Sequence, residues 1–342
     1  ELRFDRHNSP SRTAVDKWGN VWVANRAHET IDTVGSATKI ASNELACIDR
    51  NGDGRIQTSR DLNGNGVIEP DSPAAAAWNE KEMIRPPAGK ESDPAFYDEC
   101  VLFSTQFGTG TQQSTPRAVA IDSRGFVWVG LYTGMPGPDG SGGAPAFAKL
   151  DPDTGEILQV NGKNHVAVPI PSYGAAIDRK DRIWITNTGQ TAVVGLDARD
   201  GSLIGVPDAQ GVVRPFRETE GRCLPSGQDA NSGGTYGMNV QVTDGEMPRT
   251  YVWVASGWRR CANWAARFVV EETTPVTGTW EVFDLTGQLG GEPFGMTRGI
   301  AADAEGRVWI SADNDNAAGV DVARLVALDS RTGQLLTFAN GK

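Results

Sequence analysis

The chain has 342 residues and a formal net charge of −11, with 41 glycines, 19 prolines and 10 tryptophans. No Lys/Arg run makes the basic patch that duplex binding needs, so nucleic acid is not an expected partner. No stretch of about 18 apolar residues is present, so no membrane span is expected, and the scatter of glycine and proline favours many short strands over long helices.

The first element, TAVDKWGNVWVAN at 13–25, is a short apolar strand ending in Asp16, a turn, and a strand centred on Trp22. The pattern recurs at 117–130, 173–187, 236–256 and 298–312, centred on Trp128, Trp184, Trp253 and Trp309. Asp122, Asp178 and Asp303 close the first strand in three of these repeats, and Gln241 stands in that place in the fourth. Each repeat reads as a β-hairpin. The Asp and Gly of x-Asp-x-x-Gly set the turn, and the Val-Trp-Val or Ile-Trp-Ile strand alternates, putting Trp on one surface and its branched neighbours on the other. A second hairpin, turning at Asp-x-x-x-Gly, follows at 146–158, 193–204 and 324–336. Two hairpins in series give four antiparallel strands, which is one propeller blade. The expected fold class is therefore all-β: one β-propeller domain over 1–342, built of four-stranded antiparallel blades. Five blades are visible, and six or seven follow if a blade has diverged beyond recognition.

Asp16 and Asp122 lie 106 residues apart, whereas Asp122 and Asp178 lie 56 apart, so an insertion at about 41–99 interrupts the first blade. It contains two consecutive runs of oxygen-bearing side chains. The first is Asp49, Asn51 and Asp53, then Gly54, with the Arg55 carbonyl at loop position 7; the second is Asp61, Asn63 and Asn65, then Gly66, with the Val67 carbonyl and Glu69. Calcium takes six to eight hard oxygens, and this spacing wraps alternate residues around one centre. Arg60 and Ser72 stand where a bidentate acid is usual, and the neighbouring Asp61 and Asp71 are the substitutes. The loops resemble the compact repeats of dockerins and thrombospondin type 3 modules, which implies a structural calcium ion as cofactor.

The four cysteines are Cys47, Cys100, Cys223 and Cys261. They show no zinc spacing, so two disulfides and an oxidising compartment are expected, secreted, extracellular or periplasmic. A chain beginning Glu1-Leu2-Arg3-Phe4 reads as a processed, mature one. A Cys47–Cys100 bond would close the neck of the insertion, and a Cys223–Cys261 bond fits the loops flanking the fourth inner hairpin. The insertion joins strands three and four, so it belongs on the face opposite the inner-strand entries.

The Trp repeat resembles the NHL-type and streptogramin-lyase-like propellers, whose blades carry Asp-x-x-Gly-x-[Val/Ile]-Trp-[Val/Ile]. The resemblance covers most of the chain outside the insertion and implies the fold; the superfamily includes lyases, lactonases and pure binding modules. For the lyases it implies metal-assisted chemistry with histidines and a glutamate at the channel. Only His7, His28 and His165 occur here, none in the last two blades. For the lactonases it implies a cation held by Glu, Asn and Asp, a set that Glu29, Asn187, Asn239 and Asp313 could supply.

Ser11, Arg117, Tyr173, Tyr236 and Arg298 begin the inner strands at equivalent positions, and His28, Glu29 and Asp313 follow the Trp strands on the same face. Arginine with tyrosine suits a carboxylate, phosphate or sugar. Trp258 and Trp264, in the cysteine-flanked loop, are a second candidate recognition surface. The expected function is a secreted, calcium-stabilised binding or scaffold module of a larger extracellular assembly, meeting another protein, a carbohydrate or a small anion at the channel. The alternative is a metal-dependent lyase or lactone hydrolase acting at the channel mouth.

Overall fold

A computed structural model describes residues 9–26, 34–69, 77–90, 92–108, 115–133, 143–189, 191–218, 234–244, 248–256, 264–288, 296–313 and 324–340. Within them lie five antiparallel sheets, each built of four strands taken in chain order from an inner to an outer one, and two of them carry a fifth strand off that path. Blade one is β1 (Pro10–Val15), β2 (Val21–Asn25), β3 (Ser36–Ile40) and β4 (Val101–Gln106). Blade two is β5 (Pro116–Ile121), β6 (Val127–Leu131), β7 (Ala146–Leu150) and β8 (Ile157–Leu158), with β9 (Val166–Ala167) pairing the other half of β7. Blade three is β10 (Gly174–Ile177), β11 (Arg182–Thr186), β12 (Ala192–Asp197) and β13 (Leu203–Ile204). A small hairpin follows it, β14 (Val206–Pro207) with β15 (Val213–Arg214), and then β16 (Phe216–Arg217), which joins the edge of β12. Blade four is β17 (Thr235–Val242), β18 (Thr250–Ser256), β19 (Trp264–Glu271) and β20 (Thr277–Asp284). Blade five is β21 (Met296–Ala302), β22 (Arg307–Asp313), β23 (Arg324–Asp329) and β24 (Leu335–Asn340).

The repeated Asp does two jobs at once. Asp178 Oδ1 accepts the turn N–H groups of Lys180 and Arg182 at 2.8 and 3.1 Å, while Oδ2 accepts the Trp184 indole N–H at 3.0 Å. Asp122 holds Trp128 at 3.3 Å and Asp303 holds Trp309 at 2.8 Å in the same way. The turn and the buried indole are thus fixed by one carboxylate, which explains why the two residues recur together. In blade four Gln241 keeps the second job, accepting from Trp253 at 3.1 Å. In blade one Asp16 is spent on Trp18, Asn20 and Lys39, and the Trp22 indole has no acceptor.

Alternation then builds the core. Trp128, Ala118 and Phe147 leave one surface of blade two to meet Ile183, Ile185 and Val194 of blade three. Val127, Val129 and Leu150 leave the other to meet Trp22 and Ala24 of blade one. Equivalent clusters join blades three to four around Trp184, Val252 and Phe268, and blades four to five around Trp253, Val308 and Ile310. Buried cations reinforce two seams: Lys39 Nζ donates to Pro152 O at 2.6 Å, and Arg267 crosses from blade four to the carbonyls of Ser330 and Arg331 in blade five.

The inner strands touch in the order β1, β5, β10, β17, β21, and among the described residues no comparable packing joins β21 back to β1. The faces at that seam are partly bare among the described residues. Val15 is 63% exposed on blade one, and Leu336 is 52% exposed on blade five. Trp309 is half-buried where the other four repeat tryptophans are fully buried.

Candidate functional site

The inner strands converge on an axial cavity of about 240 Å³, to which every blade contributes. Its wall is small or bare: Gly174, Gly237 and Gly299, with Ala118 and Ala175, leave room that larger side chains would fill. Gly237 is required for a further reason, since a Cβ there would lie 2.2 Å from the Arg298 carbonyl oxygen.

Arginines and tyrosines crown this cavity, and β-bulges place several of them. In blade two Pro116 pairs with Leu131 and Ala118 with Gly130, leaving Arg117 as the extra residue. In blade five Thr297 pairs with Ala312 and Gly299 with Ser311, leaving Arg298. The shift in blade four falls over Tyr236 and Gly237, and that in blade one over Ser11. Tyr173 stands just before β10, its N–H donating to Thr186 O at 2.9 Å. A bulge re-aims the side chain it carries, and bulges are enriched beside functional sites.

The result is a ladder of guanidinium and phenol groups. Arg117 lies 4.7 Å from the centroid of the Tyr173 ring, Tyr173 and Tyr236 are 5.0 Å apart, and Arg298 lies 4.9 Å from Tyr236. Arg12 stands 5.4 Å from both rings and donates from Nη2 to the Tyr236 carbonyl at 3.2 Å. Tyr132 extends the ladder, 6.2 Å from Tyr173. Burial lowers the Arg117 pKa, and the neighbouring Arg26 lowers it further. Burial and the hydrogen bond to Tyr236 raise the Tyr173 phenol above its ordinary value. Accepting that bond, with Arg12, Arg298 and Arg117 nearby, takes the Tyr236 phenol below its own. The Arg117 Nε is buried and has no acceptor.

The expected quartet of Arg117, Tyr173, Tyr236 and Arg298 is therefore brought together. Arg12 was missed, because strand equivalence points to Ser11 and the bulge beside it is not visible in the residue pattern. His28, Glu29, Trp258, Cys223, Cys261 and Asp71 lie outside the described residues, as does the side chain of Asp313. Asn239 is committed elsewhere: it pairs with Trp253 in the ladder and its Oδ1 accepts the Ala302 N–H at 3.3 Å. Trp264 is a correction. It opens β19 and is 5% exposed, packed into the core between blades three and four, so it offers no recognition surface. It is apolar bulk at a strand start, where the alternation turns it inward.

The insertion leaves from the end of β3 beside the β1–β2 turn, where Ser42 N donates to Asn20 Oδ1 at 3.1 Å, so it lies at the end away from the arginines. Cys47 and Cys100 are disulfide-bonded, 53 residues apart. The two runs fold alike. Asp49 accepts the N–H groups of Gly52 and Gly54 at 2.7 and 2.9 Å, and Asp61 those of Gly64 and Gly66, both at 2.7 Å. Asn51 and Asn63 accept from Asp53 N and Asn65 N, each at 2.9 Å. Asp53 and Asn65 in turn accept from Arg55 N and Val67 N at 2.9 and 2.8 Å. Gly54 and Gly66 hold φ of +79° and +84°, the left-handed region glycine enters at low cost. A buried acid from outside each run braces it: Glu99 accepts from Arg50 N and Gln57 N, both at 2.8 Å, and Glu82 accepts from Leu62 N and Glu69 N at 3.1 and 2.9 Å. The Gln57 amide hydrogen-bonds Asp53 and holds its carboxyl below the ordinary range. Among the described residues no three His, Cys, Asp or Glu side chains gather as a metal-holding group. An ion here would draw on Asn oxygens and main-chain carbonyls as well, a hard-oxygen set that fits calcium.

No protein-family model matches the chain, and no curated protein matches it. Solved structures do. A protein of unknown function from Bacteroides caccae is 11% identical, with 97% of this chain and 82% of that one covered at a TM-score of 0.50. The Dos1 propeller is 10% identical over 97% of this chain and 58% of its own, with a TM-score of 0.46. A streptogramin B lyase is 12% identical over 99% of this chain and 84% of its own, with a TM-score of 0.43. The fold is a β-propeller. At 11% identity the likeness to the Bacteroides caccae protein speaks of the fold alone. No helix among the described residues is long and apolar enough to cross a membrane.

Proposed function

We propose that the chain is a secreted, single-domain β-propeller, extracellular or periplasmic, that serves as a binding or scaffold module of an extracellular assembly. Its ligand meets the axial mouth, and calcium in the 41–99 insertion holds the opposite end in shape. One observation carries this reading: four inner strands present an arginine or tyrosine over a shared cavity, three of these residues by way of a bulge. Strands that served only packing would have no reason to break register at equivalent points. Two acid- and Asn-rich runs with one hydrogen-bonding plan support the calcium role, since so many oxygens in a short coil need a cation to stay ordered.

The test is total metal content before and after chelation, with thermal stability followed in parallel. One or two calcium ions per chain are expected. Asp49→Ala with Asp53→Ala should lower the melting temperature in calcium buffer. An unchanged melting temperature would defeat the calcium role. A further tightly held divalent ion, lost on changing Glu29 or Asp313, would replace the binding role with metal-dependent lyase or lactone hydrolase chemistry.

A further inference from the structure

We propose that the mouth is built for a small dianion, carrying either two carboxylates or one phosphate, held by Arg12 and Arg117. The inference rests on the reading of the mouth as a binding site and goes beyond it by fixing the ligand's charge and size.

Charge comes first. Arg12 and Arg298 line the cavity itself, and Arg117 stands next to it with Arg26 close by. Among the described residues no carboxylate pairs with Arg12 or Arg117. Their partners are aromatic faces, plus one main-chain carbonyl for Arg12. A ring face attracts a cation through its quadrupole but supplies no counter-charge. The Arg117 Nε–H is sealed from water with no acceptor, and an unsatisfied buried donor carries a desolvation penalty that an anionic ligand would remove. Guanidinium also has the fork geometry that grips carboxylate and phosphate through two parallel bonds.

Two charges follow from the layout. Arg117 and Arg12 both stand over the Tyr173 ring, at 4.7 and 5.4 Å, so two guanidiniums without a carboxylate partner among the described residues share one aromatic platform. A single carboxylate balances one of these cations, whereas a dianion balances both. Size is set by the cavity. Its volume of about 240 Å³ is below the ~300–1,000 Å³ range of drug-sized pockets. Its glycine-lined wall offers main-chain groups rather than side chains to the ligand body. Stacking on the tyrosines holds the guanidiniums in place beforehand, which reduces the ordering cost of binding.

The experiment is calorimetric titration of the whole calcium-loaded protein with inorganic phosphate, succinate and, as a neutral probe, glucose, at fixed ionic strength. Phosphate or succinate should bind and glucose should not. Arg117→Ala and Arg12→Ala should each weaken dianion binding by roughly tenfold or more. Arg117→Lys, which keeps charge and bulk but loses the fork, should weaken it less, and its near-UV circular dichroism guards against a folding artefact. If glucose binds, is lost in Arg117→Ala and the dianions do not bind, the ligand class is wrong and the mouth stands as a neutral-ligand site. If dianions bind with affinity unchanged in all three variants, they bind elsewhere, and both this inference and the mouth reading fall. If no probe binds the wild-type protein, the dianion clamp is overturned.

Discussion

Removing the Cys47–Cys100 bond tests how the insertion is held. The bond spans 53 residues. In the chain-entropy account, closing a loop of that length restricts the unfolded chain enough to stabilise the fold by about 4 kcal/mol at 25 °C. The folded neck has its own polar closure. Arg50 donates to the carbonyls of Val101 and Leu102 at 2.7 and 2.8 Å, and Ile48 N and Ala41 N donate to Glu99 O and Cys100 O at 2.9 and 2.8 Å. Cys47→Ala with Cys100→Ala should therefore leave the folded insertion in place and act through the unfolded state. With an unfolding entropy of about 2.1 cal/mol/K per residue, 4 kcal/mol in a chain of this length corresponds to a fall of about 6 °C in melting temperature. The assay is thermal unfolding followed by near-UV circular dichroism in calcium buffer, with limited proteolysis of 47–100 in parallel. A fall of less than about 1 °C would refute the entropic origin. Loss of the near-UV signal or rapid cleavage at room temperature would refute the claim that the polar neck suffices once the chain has folded.

Two further outcomes are expected. Gln241→Leu should destabilise by about 1–3 kcal/mol in chemical denaturation, because the Trp253 indole N–H loses its acceptor inside blade four, and Gln241→Glu should recover most of the loss. Asp303 is penalised by desolvation, but hydrogen bonds from Trp309 and Arg307 outweigh that penalty and depress its pKa to about 2. A depressed carboxylate contributes stability that is present above its unfolded pKa and disappears as pH falls through the folded one. Trp309 fluorescence should accordingly hold steady down to about pH 3 and change as the pH approaches 2. A transition near pH 4 would show that Asp303 is not held by these partners.

The blades were readable in the sequence because a single carboxylate serves both turn and tryptophan, tying local turn chemistry to long-range packing. In blade four Gln241 keeps an acceptor for the indole, and blade one departs, its Asp16 holding the turn but not Trp22. The insertion was readable for the same reason: its turns are set by side chains within the runs themselves. Arg12 was not. It entered the mouth through a shift of register at Ser11, and a bulge leaves no mark on hydrophobic alternation. The outermost strands were only half legible. The second hairpins at 146–158 and 193–204 end in two-residue strands, and β9 and β16 arrive from farther along the chain to finish the edges. Nothing in the local pattern of 166–167 or 216–217 marks those residues as completing a sheet, because that pairing depends on how little edge the preceding strand covers.

Among the described residues four of the five seams between blades are packed, and the fifth, between blades five and one, is partly bare. The packed seams are hydrophobic joints, and the blades on either side of the partly bare one carry Arg12 and Arg298. If the mouth binds as proposed, a molecule that touches both arginines would act as a latch across that seam. On that proposal, occupancy of the bore should be read most sensitively in the exchange of amide hydrogens along β1 and β21.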